Sequence, residues 1–525
     1  MIPRAPTPSY LATILTVVAS GCGGGMQGPP PPPPPPALSI STATLPDGMV
    51  TFPYSQTLQA SGGVAPFVWD ISSGSLPHNV TLTSSSASSV IVSGTPNAAQ
   101  VASFTLQVKD AKNQNATQAY TIRIAATGSV QLQSVAGPVP AGTIEIRGMS
   151  AGPFNPLSWQ NDTLNWVPDV RAPMFAALTT SPYQNIYSPW PLEQANGWRM
   201  FYGGWDGTAT PNDRVYSVTT PDFLTFNNRR LVVDHGAFVH VNNENVTQLS
   251  DGSLHMICTV APDQLGNDKP AYFTSPDGIT WNGTPEPYAA QSDDVVSIPN
   301  DPNYFGWDFN GGNVLLWDNS AWTLYYSVGI YGSIGQVYRG TSISPPVFQR
   351  TGIALDTPHY ANDIKKFIAG GKAWYLMALY IEEATVGTVL SPSLSYSLSN
   401  DGITFGPEHL LFGGESAPDH FVMTPAFVTR GTSILGVLYG ANPIDLLSSN
   451  QIFGRWLQKT LVITDSSGTQ YSPRGGYGPD RQWFSAPNSG LLQGAIVVYS
   501  EDGVTPLARG SANLAAGSAY RLIIN

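Results

Sequence analysis

Few side chains in this 525-residue sequence can do chemistry, and those that can are spaced along the chain rather than clustered. Charged residues make up only 11% of it, 35 Asp+Glu against 23 Lys+Arg. Three acids stand at or near the start of strand-like runs: Glu244 in V-N-N-E-N-V, Asp308 in G-W-D-F-N-G and Asp363 in A-N-D-I-K. Carboxyl groups brought together from separate strands can act as acid and base, because unequal surroundings keep one protonated and another ionised. Left apart, the same groups cap loops by accepting backbone N–H bonds. Asn243 and Asn310 accompany two of the acids, and Ser188 in Y-S-P-W has a comparable place in an earlier run. His240 and His420 stand just before such strands, as structural hydrogen-bonding residues or as metal ligands. Walker loops, H-E-x-x-H and C-x-x-C are all missing. With Cys22 and Cys258 as the only cysteines, a zinc site of several thiolates is excluded. Cys258, in the apolar run L-H-M-I-C, reads as an inert buried thiol.

The elements that must position these residues repeat. The turns T-P-D-F-L-T-F (220–226), S-P-D-G-I-T-W (275–281) and S-N-D-G-I-T-F (399–405) begin 55 and then 124 residues apart, and 124 is twice 62. T-S-I-S-P-P-V-F (341–348) fills the missing place as a degenerate copy. In each, Ser or Thr and Asp cap a tight turn, Gly takes the position needing positive φ, and the aromatic packs between sheets. A strand with an aromatic or aliphatic run leads each repeat, from Trp198 through Leu254, Trp322 and Trp374 to Ile434. That is 236 residues over four intervals, or 59 each. Repeats of this kind bury their sheet faces on one another, and five of them predict a five-bladed β-propeller over residues 165–465. Aligning the repeats puts Ser188, Asn243, Asn310, Asp363 and Met423 at comparable depth on the innermost strands. Asp162 and Asp169 lie upstream, within reach of the centre on a loop.

Composition agrees with an all-β, exported chain: 52 Gly, 46 Pro, 13 Trp, 23 Tyr and 20 Phe, with a net charge of -12. An acidic chain lacks the clustered Lys and Arg that displace counterions from phosphates, so nucleic acid is not an expected partner. Residues 1–22 have a basic start, a short apolar core and small residues before Cys22, the pattern of an export signal. A-S-G-C resembles the bacterial lipobox, which implies a lipid on Cys22 and, with Gly23 after it, placement in the outer membrane or on the cell surface. A Gly/Pro-rich linker follows (23–36); its eight prolines, 29–36, form a stiff rod of about 25 Å. Residues 37–126 show short alternating strands at sandwich spacing. The text P-Y-S-Q-T-L-Q-A-S-G-G with V-S-G-T-P and S-F-T-L-Q-V-K-D resembles the bacterial putative-Ig family of cadherin-like modules. That resemblance implies an Ig-like spacer or adhesion module without catalytic residues. Residues 127–164 read as a connecting β segment and 466–525 as a C-terminal one, whose strands pair with 131–146 in a small accessory unit. A monomer is expected.

W-R-M-F-Y-G-G and the S-x-D-G-x-T-W turns resemble the arabinanase/levansucrase/invertase superfamily of glycoside hydrolases. Q-N-I-Y-S-P-W-P-L-E-Q-A-N-G-W (184–198) is similar to the levansucrase-type first-blade motif D-x-W-D-S-W-P. The resemblance implies a central funnel, a carbohydrate substrate and a carboxylate pair acting as base or nucleophile and as proton donor. On that basis Asp308 or Glu244 is the general acid and Asp363 the base or pKa modulator. Ser188, Asn243, Asn310 and His240 would then bind substrate, with Trp190 and Trp307 stacking on sugar rings or packing between blades. It also implies a calcium or other ion at the axis, for which His420 is the candidate ligand. The match departs at its key place: Ser188 stands where the family's nucleophilic Asp belongs, and Asn185 replaces the earlier Asp. That departure favours the alternative of a non-catalytic glycan-binding or adhesion propeller, beside which a surface scaffold is a third class.

Overall fold

The computed structural model describes residues 36–86, 88–137, 139–178, 180, 182–261, 268–301, 312–318, 320–330, 333–380, 393–413, 418–444, 449–471, 473–486 and 490–525. Cys22, most of the proline rod, Trp307, Asp308 and Asn310 lie outside them. The chain divides into two compact units. The first is built from residues up to Pro46, Pro53–Thr95 and Val101–Ile122, the second from Asp47–Phe52, Pro96–Gln100 and Arg123–Asn525.

In the first unit Tyr54–Ser61 and Val80–Ser86 flank Ser89–Gly94 in one antiparallel sheet, and Val68–Gly74 and Asn115–Ala125 flank Gln100–Lys109 in another. Alternation along these strands sends Leu58, Val90, Val92, Leu106, Val108 and Ile122 wholly inside. Asp110 closes the turn after the long central strand by accepting from the backbone N–H groups of Val64, Lys112 and Gln114. This is a two-sheet sandwich.

The second unit carries five sheets in chain order, antiparallel except where Tyr288–Ala289 adds a short parallel edge to the first. Their innermost strands are β1 (Gln184–Gln194), β2 (His240–Gln248), β3 (Asn313–Trp317), β4 (Tyr360–Ala369) and β5 (Phe421–Arg430). Each inner strand packs against the next, and β5 packs against β1, so the ring closes. The fifth sheet is completed by Trp166–Pro168, which arrives before the first blade and pairs antiparallel with Gln451–Leu457. Such closure ties the two ends of the ring together and removes an open edge.

Each blade interface holds its own apolar cluster. Phe201, Met256 and Phe273 fill the first interface, Ile257, Leu324 and Tyr326 the second, and Val314, Tyr325 and Met377 the third. Leu394, Tyr396 and Phe427 fill the fourth, and Met200, Tyr202, Leu438 and Trp456 the fifth. Burial of each such side chain stabilises by roughly 1.5–3 kcal/mol. The repeated turns are built as their residue types require. Asp277 Oδ1 accepts from Ile279 N at 2.8 Å and Thr280 N at 2.7 Å, and Asp401 repeats this on Ile403 N and Thr404 N. Gly278 (φ 75°) and Gly402 (φ 66°) take the left-handed position, which in the first copy falls to Phe223 (φ 58°), itself fully buried.

A nine-stranded sheet lies beside the ring, with Gly128–Val135 and Thr143–Arg147 on either side of Ala519–Ile524. The strand Leu461–Asp465 belongs to this sheet, pairing with Leu491–Tyr499. The last blade therefore ends at Leu457 and not near 465. Asp169 joins the two parts, its Oδ2 accepting from Trp456 Nε1 at 2.8 Å and Gly478 N at 3.0 Å. Asp162 binds Tyr396 and His409 on the outer strands of the fourth blade. Neither upstream acid reaches the centre.

Candidate functional site

Four of the five inner strands share one irregularity. Register shifts fall between Tyr187 and Trp190 in β1, Asn242 and Asn245 in β2, Ala361 and Asp363 in β4, and Met423 and Ala426 in β5. These bulges re-aim consecutive side chains at comparable depth in blades one, two, four and five. Ser188 (φ 51°), Asn243 (φ 52°) and Thr424 (φ 47°) adopt left-handed backbone there, a conformation that costs non-glycine residues about 1–3 kcal/mol and recurs at functional sites. In β5 the bulge falls on Thr424, one residue beyond the expected Met423, which stays paired with Gly440. Thr424 Oγ1 accepts from Ser188 N at 2.9 Å and links the last bulge to the first.

One cluster of chemistry-bearing groups forms where blades one and two meet. Asp213, on the loop before the third strand of blade one, accepts at Oδ2 from Tyr187 OH (2.7 Å) and Asn242 Nδ2 (3.0 Å). His240 Nδ1 lies 3.2 Å from the same oxygen. The hydrogen bond to Asp213 raises the pKa of His240 above its ordinary 6.5 against the opposing effect of burial. Asp213 Oδ1 is buried without a partner. Next to this group Glu244 is 1% exposed, and neither carboxyl oxygen has a hydrogen-bond partner. Burial pushes its pKa well above the ordinary 4.5, against the pull of its own backbone N–H and with the nearby Asp213 charge adding to the rise. Gly203 makes room for it: a Cβ there would come 3.2 Å from Glu244 Oε2 and 3.3 Å from Asn242 Cβ.

The other residues singled out in the sequence sit differently. Asp363 is fully buried between blades four and five, its Oδ2 accepting from Phe427 N at 2.7 Å and its Oδ1 3.1 Å from Lys365 Nζ. Burial raises its pKa despite Lys365 and the Phe427 N–H. Lys365 Nζ lies 3.9 Å from the centroid of the Trp190 ring, and Trp190 Nε1 donates to Val246 O. With one face taken by Lys365 and 3% of its surface exposed, Trp190 packs between blades and does not stack on a ligand. Ser188 Oγ is buried without a partner. His420 packs edge-on against Phe421 at 4.7 Å. Among the described residues no group of three or more His, Cys, Asp or Glu is placed to hold a metal.

The structure thus gathers Glu244, His240, Asn242, Tyr187 and Asp213, and sets Asp363 apart in a bridge. Asp213 carried no sequence signal. It stands in T-A-T-P-N-D-R, a loop between strands, and only the fold brings it to His240.

Residues 34–125 match the family described as Putative Ig domain, in agreement with the sandwich of the first unit. No curated protein sequence matches. Among solved structures, a glycoside hydrolase aligns with 57% of this chain and 94% of its own at 13% identity and a TM-score of 0.43. A Bombyx mori GH32 beta-fructofuranosidase covers 70% of this chain and 95% of its own, at 8% identity and a TM-score of 0.38. A family 117 glycoside hydrolase from the marine bacterium Zobellia galactanivorans covers 63% and 90%, at 10% and 0.36.

Proposed function

We propose that the second unit is a carbohydrate-active propeller that cleaves glycosidic bonds where its first two blades meet. One observation carries this reading: two buried carboxyl groups lie together in opposite surroundings. Glu244 has no internal partner on either oxygen, while Asp213 accepts from Tyr187 and Asn242 and faces His240. A carboxyl kept protonated by burial is the donor that a leaving glycosidic oxygen needs. A carboxylate already oriented by donors suits the second role, stabilising positive charge on the ring or taking a proton from the attacking water. Tyr187 and Asn242 then orient Asp213, and Gly203 keeps space beside Glu244. The resemblance of the blade motifs to glycoside hydrolases supports the same substrate class. The test is a screen of the purified protein on plant and microbial glycans for new reducing ends. Release that disappears in Glu244→Gln supports the reading.

A second reading, a glycan-binding propeller without turnover, is favoured by Ser188 at the first bulge, where the related enzymes place Asp. Binding in the same screen without release, little changed by Glu244→Gln, supports it.

The N terminus supports export with lipid anchoring through Cys22, placing the protein at the outer membrane or cell surface. Cys22→Ser is expected to move the protein to the soluble fraction or leave it unprocessed, since lipid chains supply the anchor. Membrane fractionation of that variant identical to the parent overturns this part.

A further inference from the structure

A cavity lies at the other end of the propeller from that cluster. The bulges stand near the starts of the inner strands, whereas this cavity opens beyond their far ends, between the hairpin turns of blades one and five and the accessory sheet. Its volume is about 470 Å³, within the roughly 300–1,000 Å³ of small-ligand pockets. Four arginines and no lysine line it: Arg147, Arg430, Arg481 and Arg521. That is a marked concentration in a chain of 23 Lys+Arg and net charge -12.

Their ion pairing is incomplete. Arg147 Nε binds Glu145 Oε1 at 2.7 Å and Arg481 stands 3.6 Å from the same oxygen, so two guanidinium groups share one buried carboxylate. Arg430 and Arg521, both exposed, have no carboxylate partner among the described residues. Two acids also line the cavity, and both are engaged by backbone. Asp480 accepts from Gly148 N and Ser150 N, and Asp222 from Leu224 N and Thr225 N. Aromatic surface completes the wall. The Arg430 guanidinium lies 4.0 Å from the centroid of the Trp198 ring, and Tyr477 is braced by Trp483 at 4.4 Å. Stacking holds Arg430 in place before any ligand arrives. A planar guanidinium offers paired N–H donors that match a carboxylate, which a lysine does not.

Arg430 and Pro221 are also part of a polar depression beside the cavity, about 650 Å³ and lined by residues 193–197 and Gln248. The two share these residues and so run together from the end of the inner strands towards Arg521. We propose that this groove binds a carboxylated glycan, a chain of uronate residues, at a site separate from the cluster of Glu244 and Asp213. Arg430 and Arg521 would take the carboxylates, while Tyr477, held between Trp483 and the Arg171 guanidinium 5.1 Å from its ring centroid, is part of the wall.

The test uses trigalacturonic acid and its methyl ester, which keeps the rings and removes the charges, in calorimetric titrations of the full protein. The acid is expected to bind at least about tenfold more tightly than the ester, with affinity falling as salt rises from about 0.05 to 0.5 M. The double variant Arg430→Gln/Arg521→Gln is expected to lose about tenfold or more, as charge-assisted hydrogen bonds predict. Both side chains are exposed, so an unchanged melting temperature certifies the fold. Equal affinity for acid and ester overturns the proposal, as does undiminished affinity in the double variant or no binding of the acid at millimolar concentration. The titration reads binding and not cleavage, so its failure leaves the hydrolytic reading of the Glu244 and Asp213 cluster standing, and the reverse also holds.

Discussion

Glu244→Gln is expected to cut glycan turnover by about 10² or more, the usual loss when a positioned proton donor is removed. The substitution keeps the size of the side chain and removes only its acidity. It also carries a stability signature. In the unfolded chain Glu244 ionises near its ordinary 4.5, whereas burial holds the proton on it in the folded state to a much higher pH. The folded state therefore binds more protons above pH 4.5, and stability falls as pH rises from there towards the raised folded value. Gln cannot titrate, so the variant lacks this slope. Thermal melts of the two proteins should keep a fixed difference below pH 4.5, and the variant should gain on its parent as pH rises through neutrality. A difference in melting temperature that stays constant from pH 4 to 8 would show that Glu244 is not a buried neutral acid. Unchanged turnover would remove it from the chemistry.

The fold was legible because its signals are local and repeated. Ser, Asp and Gly in S-x-D-G-x-T-W write a turn whose hydrogen bonds close within a few residues, so Asp277 and Asp401 could be read without knowing what surrounds them. Phe223 shows that the turn survives losing its glycine when the aromatic is wholly buried. The site was less legible because its geometry is set by the bulges. A bulge admits an extra residue and shifts every later alignment by one, which is how Thr424 displaced Met423. It also decides which of two neighbours turns inward. In β2 Asn243 takes the left-handed backbone while Glu244 goes beneath blade one against Gly203. Asp213 was invisible for a different reason. Its partners Tyr187, His240 and Asn242 come from two other strands, and none of those spacings is fixed by sequence alone.

Asp363→Ala is expected to destabilise the propeller by about 3–5 kcal/mol, the cost of stripping one partner from a buried ion pair. The carboxylate is completely inside and serves two blades at once, taking the Phe427 N–H of β5 while facing Lys365 of its own strand. Without it the Phe427 N–H has no acceptor, and the Lys365 ammonium remains over Trp190 with no counter-charge. The damage spreads because Trp190 is itself pinned to β2 through Val246, so one carboxylate anchors contacts among blades one, two, four and five. Lys365→Met alone should also destabilise, by leaving Asp363 with an uncompensated buried charge. The double variant Asp363→Ala/Lys365→Met should cost less than the sum of the two, since it removes both charges together. Denaturant titrations of the three variants measure this coupling. Asp363→Asn separates architecture from chemistry, because its amide oxygen still accepts from Phe427 N while the charge is gone. A purely structural Asp363 leaves turnover per folded molecule within a few-fold of the parent. Loss of turnover in Asp363→Asn with its melting temperature intact would instead return this residue to the catalytic pair that the blade motifs imply.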